Sequence, residues 1–172
     1  MRLLPGVVRE NEQKSLALFN RQRTRPVDLR LLRQIVRHLL DERLRLEDFD
    51  ITLHLVNAEE MTRLNKTILG HEGSTDVITL DYLGNSRGAP APLAGEIFVC
   101  VDEALIQGRK FRVKWQEELV RYIIHGVLHL QGYDDTRPIA RRRMKREEAK
   151  RLAELGRDFG LSKLRRKLKV PR

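Results

Sequence analysis

One cysteine, Cys100, stands among the 172 residues. A disulfide framework and any site built from several thiolates are therefore excluded, and a reducing cytoplasm is the expected location. Aromatic residues are scarce at 5% of the chain, so stacking against bases or sugars can contribute at only a few points. No long apolar run is present. The most apolar stretch, Leu119 to Leu130, is interrupted by Arg121, His125 and His129 and falls short of the roughly 20 residues a membrane span needs. No secretory leader is expected either, because Arg2, Arg9, Glu10, Glu12 and Lys14 break up the first twenty residues. Internal repeats and low-complexity tracts are missing ahead of a basic C-terminal segment.

What is present suits one globular domain. Apolar residues make up 41% and charged residues 34%, a balance that buries a core of ordinary size. The net charge of +10 is distributed unevenly. Residues 137–172 hold fifteen Lys or Arg against four acids, while the other 136 residues hold nineteen against twenty. A neutral body thus carries a cationic end, which points to a polyanion partner, with nucleic acid ahead of a membrane surface. The expected organisation is a single α+β domain over residues 1–156 and a basic tail over 157–172.

Periodicity supplies the elements. Ser15–Asn20 reads as a first strand. Pro26-Val27-Asp28 opens an amphipathic helix carrying Leu29, Leu32, Ile35, Val36, Leu39 and Leu40, with His38 as a surface or half-buried polar residue. Phe49–Val56 alternates as a strand in which His54 faces solvent or a helix edge. Asn57 caps a helix reaching about Ile68. Thr75–Tyr82 and Gly95–Val101 are two further strands, joined by a Gly- and Pro-containing connection over Gly84–Pro92 that is expected to be mobile. Asp102 caps a short helix to about Gly108, Trp115–Gln131 is a longer helix, and Pro138 starts the last one. The order of elements predicts an α+β sheet layered against helices.

The chemistry concentrates in His125-Gly126-Val127-Leu128-His129-Leu130-Gln131-Gly132-Tyr133-Asp134-Asp135. Two histidines four apart share one face of a helix, about one turn from each other. Gly132 then ends the helix in a left-handed cap, and the chain turns back to offer a carboxylate. His125, His129 and Asp135 together present two imidazoles and one oxygen to a single divalent ion with a coordination position left open, the pattern of catalytic rather than structural sites. Gly126 argues against a peptidase, since zinc peptidases of the H-E-x-x-H type place their general base directly after the first histidine.

With these residues in view, the chain resembles the YbeY family of bacterial endoribonucleases. His125 through Asp134 match the fixed positions of a family signature similar to H-G-x-L-H-L-x-G-Y-D-H. Leu64-Asn65 followed by Thr75-Asp76-Val77, and Gly95-Glu96-Ile97 followed by Asp102-Glu103-Ala104, are similar to two further segments in family order. The resemblance implies a zinc-dependent, single-strand-specific endoribonuclease acting in ribosomal RNA maturation and ribosome quality control, with ribosomal RNA and the ribosome as partners and no membrane. It also implies a small, mostly parallel mixed sheet with one Zn(II) per chain at the end of a central helix, a zincin-like arrangement.

Two positions depart from that pattern. The family's third ligand is usually His, where this chain has Asp135. The family's L-N-x-x-Y-R segment ends in an arginine taken as catalytic, and that position here is Leu69, next to Ile68. A carboxylate in place of an imidazole lowers the charge around a divalent ion from +2 to +1. It should leave the ion's water less acidic than the value of about 7 reached with three histidines. Two His plus one carboxylate also suit Fe(II) or Mn(II). With Leu69 unable to offset phosphate charge, Arg63, Arg87, Arg109 and Arg112 are the candidate cations from nearby loops. The alternative to an active nuclease is a ribosome-associated RNA-binding protein whose metal is structural or vestigial; a metallopeptidase ranks third.

Overall fold

The computed structural model describes residues 14–84 and 92–166. Most of the connection read over Gly84–Pro92 therefore lies outside the described residues, as does the end of the basic segment after Arg166. The chain begins with strand β1 (Lys14–Asn20) and helix α1 (Leu29–His38), which runs on through one wide π-helical turn over Leu39–Arg43. Strand β2 (Phe49–Val56) and helix α2 (Ala58–Leu64) follow, with a second π-helical turn over Asn65–Leu69. Strands β3 (Val77–Asp81) and β4 (Leu93–Cys100) then precede helices α3 (Val101–Phe111), α4 (Trp115–Leu130) and α5 (Pro138–Asp158), and a 3₁₀ turn at Leu161–Leu164.

Local chemistry explains where these elements start. The Asp28 carboxylate accepts from the Leu31 amide at 3.0 Å and caps α1. Asn57 caps α2 in the same way through the Glu60 amide at 2.9 Å. The free amide of Ala58, at the start of α2, is satisfied from elsewhere in the chain: Asp102 accepts from it at 2.6 Å. Asp102 is therefore not the cap of α3. It lies in that helix's first turn and serves its neighbour, while Cys100 holds the cap position without a side-chain bond.

The sheet has the order β1-β2-β4-β3. β1, β2 and β4 run parallel, and β3 pairs antiparallel to β4 with Val77 opposite Val99. The expected small, mostly parallel mixed sheet is what forms. Alternation then sorts the side chains. Ile51, Leu53, Leu55, Leu93, Ile97 and Val99 face the main core with α1, α4 and α5. Val56, Ile78, Phe98 and Cys100 meet Met61 of α2 on the other face. Two glycines let α4 and the strands approach closely. A Cβ on Gly95 would run into the Leu80 carbonyl of β3, and one on Gly126 would lie 2.6 Å from Ile97 Cγ2.

Two expectations are corrected by this packing. His54 does not face solvent: its ring is 9% exposed, stacks on Phe98 at 4.4 Å between centroids and on Phe19 at 5.4 Å, and bonds Glu96 at 2.8 Å. Alternation gave the correct face, but the Phe19 and Phe98 rings cover that face at this point. The change from domain to tail also does not fall after Gly156. α5 continues to Asp158, whose carboxylate binds His38 and Arg43 of the α1 segment. Leu161 and Leu164 then enter the main core, and Arg165 forms a bridge with Val27. Two leucines among many cations are enough to tie this stretch down, because apolar burial depends on where a residue lands and not on the charge of its neighbours.

Candidate metal centre

Helix α4 positions the site. Its buried residues Leu119, Ile123, Val127 and Leu130 face the sheet, which turns Arg121, His125 and His129 at four-residue intervals toward a cleft shared with α5. The helix ends as expected. Gly132 takes φ +84°, and its amide returns to the His129 carbonyl at 2.9 Å. The reversed chain then carries Asp135 back over the helix end.

The three residues singled out by spacing converge. His125 Nε2 and His129 Nε2 lie 2.9 Å apart, and Asp135 Oδ2 lies 3.7 and 3.8 Å from them. They form the group of metal-competent side chains found among the described residues. The opposite ring nitrogens are anchored. His125 Nδ1 donates to Glu148 Oε2 at 3.0 Å, and His129 Nδ1 donates to the Tyr133 carbonyl at 3.1 Å. Because a carboxylate and a carbonyl only accept, both Nε2 atoms present lone pairs to each other. Two lone pairs at 2.9 Å repel unless a proton or a cation lies between them. That chemistry fits a divalent ion, and the Glu148 contact is the carboxylate–imidazole support that metal-binding histidines use.

The protonation balance reflects the same crowding. Burial pushes the His125 imidazole down, but the Glu148 bond and charge, with Asp76 and Asp135, outweigh it and raise the group above its ordinary value. His129 is lowered by burial and then by the charge on His125, against opposition from Asp135 and the Tyr133 carbonyl. Charge on His125 thus disfavours charge on His129. Nearby, burial raises the Glu118 carboxyl although Arg121 opposes the shift.

Other expected participants lie elsewhere. Arg63 is exposed on α2 and paired with Glu59, and Arg109 and Arg112 lie at the α3–α4 corner. Arg87 lies outside the described residues. Leu69 is 48% exposed at the end of the turn after α2 and brings no charge to the site. Two cations that the loop-centred reading passed over stand closer. Arg121 Nη2 pairs with Glu118 at 2.7 Å and its Nε lies 3.8 Å from Glu148, while Arg141 Nε donates to the Asp135 carbonyl at 2.7 Å. The four-residue spacing of Arg121, His125 and His129 was a signal for the first. Glu148 and Arg141 had none, because only the docking of α5 beside α4 brings them in.

Comparison with known proteins gives one answer. A family model described as Endoribonuclease YbeY matches residues 17–156. The endoribonuclease YbeY of Salinibacter ruber is 32% identical over 136 residues, covering 73% of this chain and 82% of that protein. Its counterpart from Chlorobium phaeobacteroides is 32% identical over 144 residues, covering 82% and 97%. Among solved structures, the solution structure of TM1509 from Thermotoga maritima shares the fold, with a TM-score of 0.63 at 22% identity, covering 91% of this chain and 99% of that one.

Proposed function

The chain belongs to the YbeY endoribonuclease family, and from that premise we propose that it is a metal-dependent, single-strand-specific endoribonuclease acting in ribosomal RNA processing and ribosome quality control in the cytoplasm. The observation that carries the metal dependence is the convergence of His125 Nε2, His129 Nε2 and Asp135 Oδ2 with both imidazoles locked from behind. His125, His129 and Asp135 would hold the ion, with Zn(II) first and Fe(II) or Mn(II) also suited to two imidazoles and a carboxylate. Such an ion supplies Lewis acidity toward a phosphoryl oxygen and charge to offset what develops there. The chain's own residues do the rest. Glu148 and the Tyr133 carbonyl hold the two rings in one tautomer. Arg121 lies one helical turn before His125 on the same helical face, and its pairing with Glu118 and approach to Glu148 hold the carboxylate that supports His125. No helix of the described residues is long and apolar enough to cross a membrane.

A second reading, a ribosome-associated RNA-binding protein whose metal is structural or vestigial, is favoured by Leu69, an exposed leucine where the family pattern has its arginine. One experiment separates the two. Purified, metal-loaded chain is incubated with single-stranded ribosomal RNA, with a duplex of the same sequence and with casein, while elemental analysis reports the metal. About one metal per chain and cleavage of the single strand alone are expected, and His129→Ala should lose both. Metal retained at one per chain with no cleavage supports the second reading. Equal metal content in His129→Ala and wild type refutes the site itself.

A further inference from the structure

A second concave feature lies at the opposite end of α4 from the histidines. It is a depression of about 540 Å³ at the α3–α4 corner, into which Arg25, Arg109, Lys114 and Arg165 project beside Trp115. No Asp or Glu lines it. None of the four cations forms an ion pair among the described residues, a state they share with exposed cations such as Arg23, Arg30 and Arg45; what sets the four apart is that they line one hollow. Four unneutralised cations around one hollow repel each other, and a protein gains nothing in stability from such a cluster. An anion relieves that repulsion. An indole beside the charges gives a flat apolar surface on which a base can stack.

The depression is connected to the metal centre. It shares Lys114 and Ser162 with a larger groove of about 760 Å³ between α4 and α5, which is lined by Glu117 and Lys145 and also by Arg121 and Glu148. Glu148 is the residue that anchors His125 at 3.0 Å. From Lys114 to His125 the α4 helix climbs about 16 Å at about 1.5 Å per residue, a span of about five nucleotides at the rise of about 3.4 Å in a stacked strand. We propose that the acid-free depression of Arg25, Arg109, Lys114 and Arg165 is a phosphate-docking subsite for a single RNA strand that runs along the α4–α5 groove to the His125–His129–Asp135 centre. The subsite rests on the RNA-cleaving reading above and adds to it where the strand lies and how long it must be.

The sole tryptophan of the chain makes the subsite observable. Metal-loaded protein is mixed with a single-stranded decamer or with a trinucleotide in a stopped-flow instrument, Trp115 fluorescence is followed as a function of salt, and cleavage of the same RNA is measured separately. The decamer should change the fluorescence and the trinucleotide should not. Arg25→Gln with Arg109→Gln should flatten the log–log salt dependence of decamer affinity by about 1.4, at about 0.7 per lost phosphate contact. Arg25→Lys with Arg109→Lys should retain most of it. Lys150→Gln with Arg157→Gln, exposed α5 cations lining neither concavity, should leave the fluorescence change intact and alter the slope less. Urea midpoints and metal content confirm that each variant folds. The subsite is refuted if the Gln pair binds the decamer as wild type does. It is refuted equally if the α5 pair loses as much, or if phosphatidylserine vesicles and not RNA change the Trp115 signal. Binding that follows the expected pattern without any cleavage would instead overturn the nuclease reading and leave the subsite standing.

Discussion

At the scale of single residues, Asp135 and Leu69 decide how the chain departs from its family pattern. Asp135 contributes a negative charge to a site whose two imidazoles are neutral when they bind a cation, so the site with a divalent ion carries +1. Asp135→His raises that to +2, which favours loss of a proton at the site and should move the rising limb of the pH–rate profile to lower pH. Leu69→Arg restores a guanidinium at an exposed position. Loss of one preorganised charge stabiliser commonly costs about 10²–10³ in rate, so gaining one should be visible. The double variant should be more active on single-stranded RNA than either single one. Four proteins with the same rate and the same pH profile would show that neither position matters.

At the scale of elements, the helix that carries the histidines is positioned by the residues it lacks. Gly126 follows His125 directly, and a Cβ there would press on Ile97 Cγ2 at 2.6 Å and Thr79 Oγ1 at 3.1 Å. Alanine would gain up to about 1 kcal/mol in helix propensity. Crowding the core typically costs about 1–3 kcal/mol, so Gly126→Ala should be destabilising on balance. Gly95→Ala should cost more, because its Cβ would meet the main-chain carbonyl of Leu80, which cannot rotate away as a side chain can. Urea denaturation measures both. A midpoint for Gly95→Ala at or above that of Gly126→Ala would mean that β3 yields more easily than the register with β4 implies. The same glycine that removes a peptidase-type base from the sequence motif thus also brings α4 onto the sheet.

At the scale of the whole molecule, the cationic end is part of the fold up to Arg166. Leu161 and Leu164 lie in the main core, and Asp28 and Arg166 bond across that junction through the Leu164 and Pro26 carbonyls. Leu164→Ala should therefore lower stability by about 2–5 kcal/mol, the usual range for a buried leucine. Ending the chain at Gly156 removes both leucines and the Asp158 carboxylate and should leave the protein unfolded. Ending it at Arg166 removes only Lys167, Lys169 and Arg172 among its charges. That shorter cut should keep the urea midpoint and metal content and flatten the salt dependence of RNA affinity by at most about 2. A cooperative, wild-type urea transition from the chain ended at Gly156 would show that the last turn is dispensable.

Most of this protein was legible along the chain because its information is local. Hydrophobic period fixes element type, Asp28 and Asn57 cap the helices they precede, and a four-residue spacing with a glycine stop places His125 and His129 on one helical face whatever surrounds it. Asp135 belongs to the same category, since a tight turn returns it to the helix it has just left. What the chain could not show are contacts between elements far apart in sequence. His54 read as facing solvent or a helix edge because alternation reports a face of the sheet but not what covers that face. Glu148 and Arg141 enter the site only when α5 docks beside α4, and Asp102 serves α2 only because β4 delivers α3 next to it. The four cations around Trp115 come from the segment before α1, from the α3–α4 corner and from the final turn. Local periodicity carries no information about such meetings; close packing of the elements determines them.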